Sequence, residues 1–342
     1  MSNSIFFDTL SGKKTQRPPV WFMRQAGRVL PSYMKLREEH GFHDMMRTPE
    51  LACKVTLLPY EDLGVDALIL FSDILVVAEA MGMKLKFDPA PVFETALKNL
   101  KEPVKFLSPD FTQLTHVYDA IDLIIKNKPE NIPLIGFSGS PFTTLVYMIQ
   151  GFGRDHMFSD AIKFMYNNPK QMEMLMEAVT DLTIFYAENQ CDHGISAFQI
   201  FETHAGLIPQ DLYMELVAPQ VKRVLKAVRE KGVPTIYFPK GLGSCISKFG
   251  KEETDFLGID WQTSIFNVRK YIDPKVGIQG NLDPRALASD KESLDRIMEK
   301  YFEFGQKEQN WIFNLGHGLT PDLSFENVKY VIDKVKSYDW KR

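Results

Sequence analysis

Eight short, nearly continuous apolar runs punctuate this chain, at residues 20–23, 67–71, 133–137, 195–201, 235–238, 256–261, 275–279 and 311–315. Longer stretches of helical character separate them. A strand reads as an unbroken apolar run when both of its faces are covered, as in a parallel sheet lined by helices. Strand and helix alternating eight times is the pattern of an α/β chain folded as a (β/α)8 TIM barrel. The gaps at 24–66 and 72–132 are longer than one crossover helix needs. They predict extra N-terminal helices and loops. The 342 residues, 44% of them hydrophobic, suit a single barrel domain over 1–342. Residues 1–16 are expected as a peripheral N-terminal segment. The alternative is an open doubly wound sheet, but no GxGxxG fingerprint follows the first run.

Local signals place several helices. Thr48-Pro49-Glu50 combines a capping residue, a proline for the first turn and an acidic first turn. Ser289 and Glu292 have capping-box spacing. Met172, Leu175, Met176, Val179 and Leu182 form a stripe at helical period within 170–190, the mark of a core-facing helix.

Charge and cysteine content exclude several classes. The net charge of −4 argues against non-specific nucleic-acid binding, which needs a basic face. Any site for an anion must therefore be positive only locally. Cys53, Cys191 and Cys245 are isolated and odd in number, which points to a reducing, cytoplasmic setting. The opening MSNSIFFDTL does not resemble a signal peptide. No apolar stretch approaches the ~20 residues of a membrane span.

Barrel enzymes carry their chemistry at the carboxyl ends of the strands. The first run, VWFM, stops abruptly at Arg24-Gln25-Ala26-Gly27-Arg28. Two guanidiniums four positions apart across a glycine turn can face one site, and arginine grips carboxylates bidentately. A substrate with more than one carboxylate is the functional expectation. A surface pair bonded to a local Asp or Glu is the alternative. The second run delivers Ser72 and Asp73, the third leads to Tyr147, and the fourth delivers Glu202, Thr203 and His204. Later strand ends carry Lys240, Asp260, Gly280-Asn281 and His317. Asp73 serves either as a functional carboxylate in an apolar collar or as a helix cap. Glu202 and Asp260 serve either as a catalytic pair or, the reading we favour, as structural partners of Lys or Arg.

At these residues the chain resembles the uroporphyrinogen decarboxylase family. PVWFMRQAGR, RTPELA, GVDALILFSDIL, PLIGFSGSPFT, IFETHAG, GIDW, GIQGNLDP and NLGHGL follow one another in that family's order, nearly end to end. The resemblance implies a cytosolic, cofactor-free, metal-free enzyme of haem and related tetrapyrrole synthesis. Its substrate would be uroporphyrinogen III, converted to coproporphyrinogen III by loss of four acetate carboxyls as CO2. It also implies a homodimer and substrate contacts from Arg24, Gln25, Ala26, Gly27, Arg28, Asp73, Tyr147, Thr203 and His317. Val29, Phe142, Thr203, Pro239 and the 151–154 loop depart from the common pattern. Arg154 is a further candidate contact.

The substrate class suggests a mechanism. A porphyrinogen has saturated bridges, so its ring can dome and turn four pyrrole N–H groups toward one acceptor. Ionised Asp73 would be that acceptor and would steady the cationic ring formed by protonating a pyrrole carbon. Arg24 and Arg28 would hold the acid arms. The proton donor is either a water polarised by Arg24 or the charged form of His317, arginine itself being a poor general acid. Two rival functions remain in view. A zinc-dependent corrinoid or thiol methyltransferase on the same barrel would need a His/Cys ligand set, and no cysteine has a histidine in HxC spacing. A non-catalytic tetrapyrrole carrier would need the arginines but no carboxylate beneath the ring.

Overall fold

The computed structural model describes residues 4–88, 90–152 and 157–342. Strand β1 (Leu68–Ile69) is followed by a hairpin of β2 (Leu85–Asp88) and β3 (Ala90–Phe93). Six more strands follow: β4 (Leu134–Gly139), β5 (Ala197–Glu202), β6 (Thr235–Pro239), β7 (Phe256–Gly258), β8 (Gly277–Gln279) and β9 (Trp311–Ile312). β1 and β4 through β9 pair in parallel, in chain order, as one seven-stranded sheet. These are seven of the eight apolar runs. The hairpin, an antiparallel insertion, was not foreseen, because LKFDPAPVF sits in a gap assigned to helices and loops.

The eighth run closes the curl. Val20 bridges Phe313 in parallel just beyond β9, with Trp21 N–H donating to the Phe313 carbonyl at 3.4 Å. On its other side, the N–H of Asp66, just before β1, donates to the Val20 carbonyl at 2.8 Å. Residues 20–23 thus form the stave between the last strand and the first, and the (β/α)8 expectation holds. Side chains seal this seam. Arg17 donates to both oxygens of Asp66, at 2.6 and 2.7 Å, and Asp66 also accepts from Val20 N–H at 2.8 Å. Inside the barrel the buried Trp21 indole donates to Gln279, whose amide donates to Gln199.

Helices fill the gaps as their sequences require. Pro31–Glu39, Phe42–Arg47 and Pro49–Leu63 occupy 24–66, and Val76–Ala80 and Thr115–Asn127 occupy most of the helical part of 72–132. Pro49 stands in the first turn, but the Thr48 side chain makes no capping bond. The later cap is shifted by one residue. Asp290 caps Lys291–Lys307 by accepting from Ser293 N–H at 2.8 Å, because its carboxylate is a better acceptor at a helix N-terminus than the Ser289 hydroxyl. The methionine-rich stripe lies on Pro169–Asp192, and all five of its residues are buried. Helix Ile5–Leu10 of the expected peripheral segment buries Phe6, Thr9 and Leu10, so that part is seated against the barrel. Among the described residues, no helix is long and apolar enough to cross a membrane.

Gln25 is fully buried in the wall. Its carbonyl accepts from Phe22 N–H at 3.0 Å and its amide donates to the Ala67 carbonyl at 3.0 Å, tying the closing stave to β1. Gln25→Leu keeps the size but leaves two buried backbone groups unpaired. We expect it to cost about 2–6 kcal/mol, at 1–3 kcal/mol per orphaned group, read as a lower urea midpoint at unchanged m-value.

Candidate active site

A cavity of about 620 Å³ opens at the carboxyl ends of the strands. That volume is in the range of ligand-binding sites. Its floor is apolar: Ile69, Phe71, Phe137, Phe201 and Phe238 all line it. The Phe137 and Phe201 rings meet edge to face at 5.5 Å, and Phe201 meets Phe238 at 6.2 Å. These phenylalanines point inward from β4, β5 and β6, so the sheet's alternation builds the floor.

The turn after the closing stave supplies two cations. Arg24 adopts a φ of 62°, a left-handed conformation uncommon for residues other than glycine. Gly27 allows the chain to double back, since a Cβ there would lie 3.1 Å from the Arg24 carbonyl. Asn314 braces the turn from just beyond β9, accepting from Met23 N–H at 3.1 Å. Arg24 and Arg28 both line the cavity and are exposed to it. Among the described residues neither guanidinium has a hydrogen-bond or ion-pair partner. The local-pair alternative is therefore not what this structure shows.

Asp73 is the one carboxylate on the cavity wall among the described residues. Its Oδ1 accepts from Leu75 N–H at 2.8 Å, as a cap would, while Oδ2 has no partner among the described residues. Burial pushes its carboxyl up to about 6; the Leu75 bond opposes this, Glu79 adds to it, and Arg24 opposes it. Tyr147 stands nearby on helix Pro141–Gln150, its ring 4.9 Å from Phe158 and 5.3 Å from His204. Burial raises its hydroxyl, the Asp73 charge adds to the rise, and Arg24 opposes it. Thr203, Ala26, Gly27 and His317 also line the cavity.

His317 sits between two glycines for steric reasons. A Cβ on Gly316 would collide with the Trp261 backbone, and one on Gly318 would lie 2.5 Å from Arg24 Cδ. Burial, then the charges of Arg24 and Lys240, push His317 down to about 4. Both effects disfavour the charged imidazolium. Lys240 packs over the Trp261 ring at 5.4 Å, and burial lowers its ammonium.

Not every expected residue reaches the cavity. The Gln25 side chain is turned into the wall, as described above. Glu202 is buried behind the wall, and Asp260 accepts from Gly241, Gln262 and Thr263, so both bond to hydroxyls and backbone amides and not to the expected Lys or Arg. Arg154 lies outside the described residues. The sequence reading missed Tyr33 and Arg37, which line the cavity from helix Pro31–Glu39. Their signal was the i, i+4 spacing on a helix opened by Pro31, immediately after the arginine turn. The lining thus carries three arginines against one carboxylate.

The family model for uroporphyrinogen decarboxylase matches residues 1–338. The chain belongs to the uroporphyrinogen decarboxylase family. A uroporphyrinogen decarboxylase of Geobacter metallireducens is 37% identical over 334 residues, covering 97% of this chain and 98% of that one. That of Syntrophotalea carbinolica is 38% identical over 332 residues, 96% of each chain. Among solved structures, a methyltransferase from Methanosarcina mazei is similar with a TM-score of 0.79 at 17% identity, over 98% of this chain and 99% of that one. A B12-independent methionine synthase from Shewanella sp. W3-18-1 has a TM-score of 0.56 at 13% identity, over 87% and 88%. At such identities the likeness concerns the fold alone.

Gly318→Ala tests the seat of Arg24. We expect the melting temperature to move little and the affinity of the cavity for a polycarboxylate probe, benzenehexacarboxylate, to fall roughly tenfold or more. That is the loss of one charge-assisted bond of about 1.5–3 kcal/mol, measured by calorimetric titration.

Proposed function

We propose that this protein decarboxylates the four acetate arms of uroporphyrinogen III, giving coproporphyrinogen III. The observation that carries the reading is the free oxygen of Asp73 over an apolar floor, rimmed by arginines that lack carboxylate partners. A porphyrinogen has matching parts: a broad apolar ring, inward N–H donors and peripheral carboxylates. Membership of the family supports the substrate class. Arg24 and Arg28, with Arg37 beside them, bind acid arms, and Tyr147, Thr203 and His317 orient one arm by hydrogen bonds. Ala26 and Gly27 line the same wall, and Gln25 contributes by holding the turn.

In each step a proton adds to a pyrrole carbon, leaving the ring cationic. The bond from the acetate methylene to its carboxylate then breaks. CO2 departs, and the bonding pair flows into the ring. A proton ends on the methylene, making a methyl group, and the first proton leaves the ring carbon. The net step consumes one proton and releases one CO2. Asp73 lies under the developing charge and supplies preorganised stabilisation. A water polarised by Arg24 is the donor compatible with a neutral His317. The rival methyltransferase chemistry calls for a His, Cys or acidic ligand set, and among the described residues no three such side chains group to form one.

Anaerobic incubation with uroporphyrinogen, followed by oxidation, should yield coproporphyrin; unchanged uroporphyrin refutes the reading. Asp73→Asn should lower kcat by at least a hundredfold with the fold retained, and near-normal turnover would refute the electrostatic role. The pH dependence has a fixed sign. The Asp73 carboxyl in the folded protein is raised to about 6, so the carboxylate is lost as pH falls through 6. Accordingly kcat/KM, which reports the free enzyme, should fall on the acid side with a midpoint near pH 6. By linkage, a folded pKa above the unfolded one makes ionised Asp73 a cost to folding above pH 6. Asp73→Asn should therefore be no less stable than the parent at pH 7.

A further inference from the structure

Glu202 ends β5 and is fully buried, behind the cavity wall and not on it. Its carboxylate is held from four directions. The hydroxyls of Ser140 and Thr143 donate to its two oxygens. Tyr213 donates from the far side at 3.4 Å and is itself bonded to the Tyr237 hydroxyl. The backbone N–H of His204 also donates to it. Ser140 is at once the cap of helix Pro141–Gln150, accepting from Thr143 N–H at 3.1 Å. An anion at this point is favoured by the helix N-terminus.

The arrangement bears on the cavity through spacing. Thr143 and Tyr147 are four residues apart and therefore share a helix face. His204, whose ring packs on Tyr147, is two residues past Glu202, and Thr203 lies between them. One side chain thus holds the helix that carries Tyr147, through Thr143 one turn before it, and the strand end that presents Thr203 and His204. We propose that Glu202 is a positioning residue that fixes Tyr147 and Thr203 against the substrate by clamping Thr143 and the His204 backbone. Burial pushes its carboxyl up to about 7, and the four donors oppose that rise without cancelling it. The proposal rests on the decarboxylase reading for the identity of the substrate.

A double-mutant cycle tests it, since sites that act through one another do not add. Glu202→Gln and Tyr147→Phe should each lower kcat/KM for uroporphyrinogen at least tenfold. The double variant should be within about threefold of the worse single one. If the two losses multiply in full, or if Glu202→Gln is as active as the parent, the proposal is overturned. Should Glu202→Gln fail to fold, Thr143→Val removes one bond, leaves the carboxylate in place and enters the same cycle. Hydrogen exchange reads the anchor without substrate. Amides of 142–150 should exchange at least tenfold faster in either variant, and unchanged exchange overturns the clamp. Absence of turnover by the parent protein overturns the decarboxylase reading alone, and faster exchange upholds the clamp even then.

Discussion

The seam of the barrel carries the site. Without the stave at 20–23 the sheet would be an open curl, with the Asp73 loop after β1 on one edge and His317 after β9 on the other. Asp66, with Arg17, and Gln25 join that stave to β1, while Val20 and Phe313 join it to the eighth strand. Closure brings the arginine turn, the Asp73 loop and the Gly-His-Gly end to one cavity. The side chains responsible for closure never touch that cavity. This separation lets the turn hold a left-handed arginine, because the cost of that backbone, of order 1–3 kcal/mol, is met by a rigid frame on either side.

Charge inside the cavity runs against the charge of the whole chain. The protein is net negative, yet its cavity lining holds three arginines and one carboxylate. Among the described residues Arg24 and Arg28 have no hydrogen-bond or ion-pair partner, while Arg37 donates to the His40 carbonyl at 3.1 Å. Asp73 is also left part-satisfied, with one oxygen engaged and one open. Burial raises its carboxyl, and a ligand that donates N–H groups would lower it again. A polyanion carrying central N–H donors, as in the proposed substrate, would complement both the arginines and the open Asp73 oxygen.

Much of this was readable from the chain, and the misses have physical reasons. Continuous apolar runs mark strands buried on both faces, so all eight staves were visible, including the one that only bridges. The hairpin β2–β3 was not, because four-residue strands leave too little alternation to register. Asp73 and the arginine pair were found because polar residues end an apolar run there. Arg37 was missed because its spacing looks like that of any surface helix until the preceding turn is known to face a cavity. Gln25 was assigned to the ligand because it lies between two residues that do line the cavity, and only the geometry shows its amide turned to Phe22 and Ala67. The two candidate proton donors could not be ranked because sequence carries no information on the burial of His317 or on its distance to Arg24 and Lys240.

A methyltransferase at 17% identity keeps this barrel over almost its whole length. The frame therefore tolerates near-complete replacement of its residues, and chemistry must reside in what the strand ends present. Here those presentations depend on a few steric permissions more than on the frame. Gly318 leaves the path of Arg24 open, Gly316 admits the Trp261 backbone, and Gly27 lets the turn close. Each permission is the absence of a Cβ, invisible to composition and weak in any motif. On the proposed function, one added methyl group would leave the fold in place and weaken the hold on carboxylates, so the glycines would set the specificity of the site as much as the arginines do.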